Sequence, residues 1–436
     1  MLAGATALAA FTSQSHAQSS DALIDKLVDK GILTANEAKD LRDEADKNFN
    51  TAFQAKTGMP DWVTGYKISG DMRGRYDQIM SDNTGLVDRT RLRYRIRFGV
   101  TVNMLDNMEA GLRLGSGDAA GNPLSNNTTS ENGFSKKPIW VDAAYGKWTP
   151  INAGGWMLST TVGKMDNPFT LTPMVFDPDL TPEGAAVQGS YTFNDQHTLA
   201  FNGAAFVLDE ESSNSHDPMM YGGQVLLNSK WNMKWSSSVG LAAFQIVSPE
   251  QLTLNGTTGN IPFNGNQGNT RTGGGVLRYN YSPVIADANV TYTLDTFPFY
   301  NGTFPIKLGG EFMNNPGAPK NNNGYWVGVT FGKSGLHKTW DLSYRYENLE
   351  ADAWYDQLVD DDFGAYYQNA PVGGGAGYKG GTNVKGHLVK FTYSISDSMS
   401  FSFSAFMNDL VNNRVNALGE PKNDTLRVFA DVMWKF

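Results

Sequence analysis

From Tyr66 onward, apolar and polar residues alternate with a period of two. In YKISGDMRGRY (66–76), Tyr66, Ile68, Met72 and Tyr76 share one face, and Lys67, Ser69, Asp71, Arg73 and Arg75 share the other. In RLRYRIRFGVTV (91–102), Leu92, Tyr94, Ile96, Phe98, Val100 and Val102 stand opposite Arg91, Arg93, Arg95 and Arg97. The closing segment TLRVFADVMWKF repeats the pattern, with Leu426, Val428, Ala430, Val432, Trp434 and Phe436 against Arg427, Asp431 and Lys435. Successive side chains of a strand project to opposite faces, so each segment predicts a strand with one apolar and one charged face. A soluble sandwich and a membrane barrel both satisfy this alternation, because they differ only in which face meets the solvent.

Loop lengths separate the two. Strand-like runs occur near 64–76, 90–103, 107–115, 138–148, 156–164, 185–193, 197–208 and 219–228. They continue near 233–246, 282–294, 306–313, 324–332, 339–349, 384–395, 398–407 and 424–436, sixteen in all. The connections at 104–106, 149–155, 194–196, 229–232, 295–305, 333–338 and 396–397 are mostly short. Those at 77–89, 116–137, 165–184, 209–218, 247–281, 314–323, 350–383 and 408–423 are mostly long and rich in Asn, Gly, Asp or Pro. Strict alternation of short and long is the habit of outer-membrane barrels. It requires that VLRYNY (276–281) belong to the preceding loop or extend the next strand. The fold predicted is all-β, a transmembrane antiparallel barrel of about sixteen strands with a short N-terminal helical segment. Strand 424–436 is expected to pair with 64–76 and remove both free edges.

Ahead of the strands the period is helical. In SSDALIDKLVDKGILTANEAKDLRDEADKN, Ser20 can cap a helix that carries Leu23, Ile24, Leu27 and Val28 on one face and stops at Gly31. Thr34 and Glu37 have the spacing of a capping box for a second helix. The first residues, ending SHA before Gln18, fit a secretory signal cleaved after Ala17 but lack its basic start. The division expected is a signal peptide at 1–17, a periplasmic helical head and linker at 18–61, and the barrel at 62–436.

Composition narrows the class. Charged residues make up 18%, the mean hydropathy is −0.38 and there are no cysteines, so disulfides and thiolate metal sites are excluded. No run approaches the roughly 18 apolar residues of a transmembrane helix, a test that barrel strands escape. A net charge of −9 argues against nucleic acid as a partner. The 10 Trp cluster near expected strand ends, among them Trp62, Trp140, Trp148, Trp156, Trp231, Trp235, Trp340 and Trp434, as interfacial belts require. His16, His197, His216, His337 and His387 are scattered without metal-ligand spacing, and no G-x-S-x-G, P-loop or H-E-x-x-H motif occurs. DPDLTPE spaces its carboxylates poorly for a calcium loop. No catalytic residue, metal or cofactor is therefore predicted.

Several passages in order resemble the bacterial putative-porin family of outer-membrane barrels. They are GILTANEA, VNMLDNMEAGLRLGSGD, GKMDNPF with VFDPDLTPEG, GEFMNN, LSYRYENLEADA, DDDFG and VKGHLVKFTYSISDSMSFSFSAF. The resemblance spans most of residues 20–436 and implies a passive pore for small hydrophilic solutes, in outer-membrane lipid. It supplies no catalytic residues and no solute preference. Phe436 resembles the terminal aromatic read by barrel-assembly machinery, and the size class suggests a homotrimer. The alternative is a non-porin envelope barrel, either structural and adhesin-like or an outer-membrane enzyme.

If the apolar faces meet lipid, the charged faces line water. Arg89, Arg91, Arg93, Arg95 and Arg97 then form one row, joined by Arg73, Arg75 and Arg113, with Arg427, Asp431 and Lys435 near Arg73 and Arg75 across the seam. Adjacent guanidinium groups repel, so the row needs water, counter-ions or carboxylates such as Asp71 and Glu109. The Pro-rich loop 165–184 offers Asp166, Asp177, Asp179 and Glu183 as constriction candidates. Loop 350–383 adds Glu350, Asp352, Asp356, Asp360, Asp361 and Asp362. Both loops can equally remain external and solvated.

Overall fold

The computed structural model describes residues 58–436 except 83–85, 213–214, 255–262, 368–369 and 413–423, together with scattered residues between 24 and 41. The expected signal peptide, the Ser20 cap and the Gly31 stop lie outside the described residues. The chain divides into two compact units, Met1–Tyr66 with Val102–Leu105, and Lys67–Thr101 with Asp106–Phe436. In the first, Ile24, Lys26, Leu27 and Val28 are helical, as are Glu37 and Ala38. The capping box forms as its spacing predicts. The Thr34 backbone N–H donates to Glu37 at 2.8 Å, and the Glu37 N–H donates back to the Thr34 hydroxyl at 3.3 Å.

The second unit contains almost all of the sheet. Its first strands are β1 (Val63–Ser81), β2 (Arg89–Met104), β3 (Met108–Ser116), the short β4 (Thr128–Thr129), β5 (Ile139–Ala153) and β6 (Trp156–Lys164). β7 (Glu183–Asn194), β8 (His197–Val207), β9 (Met219–Lys230), β10 (Trp235–Val247), β11 (Val284–Leu294), β12 (Phe304–Asn314) and β13 (Asn323–Gly332) follow. Then come β14 (Trp340–Leu349), the short loop hairpin β15 (Gly364–Tyr367) and β16 (Gly377–Gly380), β17 (Val384–Ser394), β18 (Met399–Leu410) and β19 (Thr425–Lys435). Without β4, β15 and β16, the remaining 16 form one closed antiparallel barrel. β19 pairs with β1 in a register that sets Arg75 opposite Asp431, and the Gly70 and Phe436 backbones exchange hydrogen bonds of 2.9 and 3.0 Å. Every expected strand is present.

Two local details differ from the sequence reading, the lengths of β1 and β5 and the presence of β4, and the assignment of 276–281 to a loop holds. β1 runs on to Ser81 and β5 to Ala153, where Gly154 and Gly155 at φ 61° and 82° make a tight turn. Segment 276–281 is no barrel strand, its one bridge joining Leu277 to Arg271. β4, which the sequence did not announce, folds back from the third connection to pair Thr128 and Thr129 with Tyr94 and Arg93 of β2.

Burial is inverted relative to a soluble sheet. Leu92, Val225, Leu241, Leu308 and Val327 are exposed, whereas Asp77, Gln224, Glu347 and Arg427 are each at most 2% exposed. The apolar face therefore points out and the charged face in, which removes the soluble sandwich. At the short-turn rim, aromatic pairs such as Trp156 with Tyr191 (4.5 Å between ring centroids) and Trp235 with Tyr292 (4.7 Å) occupy the belt position. No helix among the described residues is long and apolar enough to cross a membrane.

One apolar core lies on the inner side. Phe206, Phe244, Ile246, Ile285, Met313 and Phe406 sit at the long-loop ends of their strands and pack against Phe169, Phe176 and Trp354 from the loops. Burying these rings holds the loops inside the barrel.

Candidate functional site: an arginine wall faced by two inward loops

Period two places Asp71, Arg73, Arg75 and Asp77 on the inner face of β1, and Arg91, Arg93, Arg95 and Arg97 on that of β2. Closure of the barrel adds Arg427 and Asp431 from β19. Arg75 donates to both oxygens of Asp431, at 2.8 and 2.9 Å. Asp71 accepts from Arg95 at 2.8 Å and from Arg97 at 2.8 Å. Asp77 accepts from Arg91 and, at 3.1 Å, from Arg427. Arg113 of β3 pairs with Asp142 of β5. The guanidinium groups of Arg75 and Arg427 also lie over the Phe429 ring, at 3.8 and 4.6 Å from its centroid.

Two loops fold onto this wall. Segment 165–182 is tied to the strands through Thr170 and Gln224 (2.9 and 2.8 Å) and through Thr172 and Glu311 (2.5 Å). From it, Asp179 reaches Arg95 at 3.3 Å and Asp166 reaches Arg113 at 2.6 Å. Segment 350–363 brings Asp362 to Arg75 at 3.2 Å and to Arg427 at 3.1 Å. The loops hold each other through Asp177 N–H to Leu358 O (2.8 Å), Asp360 N–H to Pro173 O (3.0 Å) and Trp354 Nε1 to Val175 O (3.0 Å).

The remaining candidates are placed differently. Arg89 and Lys435 are exposed at strand ends, and neither makes an ion pair among the described residues. Glu183 lies in β7 and pairs with Lys164 at 3.1 Å, away from the arginines. Glu109 accepts from the Tyr145 hydroxyl at 2.8 Å rather than from an arginine. Asp352 and Asp356 are fully buried and hold loop backbone, accepting from Thr270 N–H at 2.7 Å and Gln267 N–H at 2.6 Å. Sequence reasoning missed Asp77, Asp142 and Arg345. The first two lie on the face that period two assigns to charge.

Asp177 meets carboxylates instead of arginine: side-chain oxygens, one each from Asp177, Asp360 and Asp361, lie within 4.8 Å of one another. Burial, then the neighbouring carboxylates, raises Asp177 and Asp361 well above the usual range and Asp360 to about 7. Burial also opposes ionisation of Asp362, but Arg427 and Arg75 outweigh it and hold that carboxyl low. The trio has the spacing of a cation site. The Asp177 oxygens, however, are taken by the N–H groups of Asp179 (2.7 Å) and Asp361 (3.1 Å).

A cavity of about 1060 Å³ opens among the long loops, lined by Ser125, Asn126, Asp142, Phe176, Asp179 and Tyr355. A smaller one of about 210 Å³ lies at the short-turn side, with Asp341, Lys390, Ser402 and Lys435 in its wall.

Residues 83–255, which carry β2 to β10 and the first inward loop, match the model of the family described as putative porin. Over those residues the chain is similar to the putative porins. That match, together with the closed barrel, points to an outer-membrane β-barrel and to a channel rather than an enzyme. The barrel is similar to the high-pH structure of Pseudomonas putida OprB, with 8% identity and a TM-score of 0.52. That match covers 85% of this chain and 94% of the other. A triple mutant of the Rhodopseudomonas blastica porin also matches, with 11% identity and a TM-score of 0.41 over 85% of this chain and all of that one. At these identities the likeness is one of fold, and the OprB match carries it. No curated protein matches the chain.

Proposed function

We propose that this porin is a water-filled channel for passive diffusion of small hydrophilic solutes and ions, with the arginine row lining its lumen and two acidic loops setting selectivity. One observation supports the reading above the rest: carboxylates from two separate loops, Asp179 and Asp362, reach inward to Arg95, Arg75 and Arg427 of the wall. Positive charge fixed on one side, opposed by loop carboxylates, sets a transverse field that sorts dipolar solutes by orientation as well as size. A sixteen-stranded barrel is wide enough for an aqueous path without a separate gate.

In this reading residues 18–61 form a periplasmic head, residues 1–17 are a removed signal, Phe436 is read by the barrel-assembly machinery, and the assembly is a homotrimer. Planar-bilayer recording of the detergent-purified chain tests the channel. Discrete conductance steps are expected. A heat-modifiable, folded barrel that inserts and never produces steps would instead be a structural or enzymatic envelope barrel.

A further inference from the structure

We propose that Arg73 and Arg93, together with Ser125 and Asn127, form a subsite for a small oxyanion such as phosphate. The inference rests on the channel reading and adds the class of solute the channel holds.

It follows from how the charges of the wall pair. Around the seam, and leaving aside the exposed Arg89 at the start of β2, seven guanidinium groups of β1, β2 and β19 stand beside five carboxylates, Asp71, Asp77, Asp179, Asp362 and Asp431, which leaves two positive charges over. The surplus is localised. Arg95 and Arg97 share Asp71, Arg75 holds Asp431 and Asp362, and Arg91 and Arg427 hold Asp77. Arg73 hydrogen-bonds only to the Asn127 side-chain oxygen, at 2.6 Å, and no carboxylate lies within ion-pair distance of it among the described residues. Arg93 donates to the Ser125 hydroxyl at 3.2 Å, and its carboxylate contact is at 3.6 Å to an Asp77 oxygen that already accepts from two other arginines.

The hydrogen-bond count points the same way. A guanidinium carries five N–H donors and no acceptor. The Nε atoms of Arg73 and Arg93 are buried without a partner. Ser125 Oγ already faces the Arg93 guanidinium, the Asn127 N–H at 3.4 Å and the Asn127 side-chain amide at 3.1 Å. The nook therefore has donors and positive charge in excess, and lacks acceptors and negative charge. A tetrahedral oxyanion supplies both, whereas a neutral polyol supplies acceptors without charge and a cation neither.

The site is preorganised and reachable. Asn127 and Ser125 are 4% and 5% exposed. Their segment is pinned to β2 by the pairing of Thr129 with Arg93, so little order has to be imposed when a ligand arrives. Ser125 also lines the cavity of about 1060 Å³ among the long loops, so the nook borders open space on that side.

The test uses the full-length protein in planar bilayers at fixed potassium chloride, with inorganic phosphate titrated into both chambers. Wild type is expected to show a saturable fall in chloride conductance. Arg73→Gln/Arg93→Gln should weaken that block at least about tenfold, from the loss of charge-assisted hydrogen bonds. Lys234→Gln, an exposed turn residue paired with Asp295, should leave it unchanged. Asn127→Asp, which sets a carboxylate against Arg73 without removing a guanidinium, should also abolish the block and serves if the double variant fails to fold. A conducting wild type without saturable block, or block that survives both changes, overturns the subsite. If the folded barrel gives no steps at all, the channel reading fails by itself. Calorimetric titration of the detergent-solubilised barrel with phosphate then decides the subsite separately, binding in wild type and not in Asn127→Asp supporting it and any other pattern overturning it.

Discussion

Arg75 and Asp431 meet across the seam of the barrel, the guanidinium donating two hydrogen bonds of 2.8 and 2.9 Å to one carboxylate. They are directly opposed in the β1–β19 register, so the pair forms only when the first and last strands close correctly. Both side chains are nearly buried, at 6% and 10% exposure. Removing one partner of such a pair strands the other at a cost of about 3–5 kcal/mol. Asp431→Ala should lower the temperature at which the folded barrel converts to its slower-migrating form on gels. An unchanged conversion temperature would mean that backbone pairing alone holds the seam.

Docking of the two inward loops should weaken as pH rises. Asp177 and Asp361 are raised well above, and Asp360 to about 7 from, the ordinary carboxylate value of 3.8. An acid with a raised pKa keeps in the docked state a proton that the released loop gives up. The docking contribution is therefore full below about 3.8 and is lost progressively as pH climbs through about 7. Asp362 runs the other way, since its lowered pKa keeps its contacts with Arg75 and Arg427 until strong acidification. Single-channel conductance and open-channel noise should increase between pH 5 and pH 8. The increase should flatten in Asp360→Asn, and a pH-independent trace in wild type would refute proton-linked docking of the loops.

Trp354 is the mechanical link between those loops. It is fully buried, bonds Val175 O at 3.0 Å and packs against Phe244 at 5.6 Å and Phe176 at 6.2 Å between ring centroids. Trp354→Ala should cost about 3–5 kcal/mol of local packing. Because the strand ladder does not depend on it, the expected result is larger conductance steps at nearly unchanged gel-shift temperature. Unchanged steps would place the narrowest point elsewhere.

Ion preference should follow the wall. Arg95 is bonded by both Asp71 and Asp179. In Arg93→Ala/Arg95→Ala, the reversal potential in a salt gradient should shift toward cations. If the potential does not move, these arginines lie away from the constriction.

Most of the barrel was legible in the chain. Alternation such as that of Leu92, Ile96 and Phe98 against Arg91, Arg95 and Arg97 depends only on strand stereochemistry and on which face is greasy. The long-short rhythm of the connections then set the number of strands and the seam between 64–76 and 424–436. The helix cap at Thr34 and Glu37 was equally local. What escaped is what crosses between distant segments. Phe244 and Ile246 share the inner face of β10 with Ser236 and Ser238, and they become a loop-docking core only once Phe169, Phe176 and Trp354 arrive.

The sequence by itself determined the strands, their faces and the closure, because a period of two follows from how neighbouring side chains project. Only the tertiary structure decided which carboxylate each arginine meets. It put Asp362 on Arg75 and Arg427, Glu183 on Lys164 and Asp177 among other acids, and it left Arg73 and Arg93 short of partners. The physical reason is that a loop's path is set by where its few apolar side chains can be buried, and that surface is assembled from strands far apart in the chain.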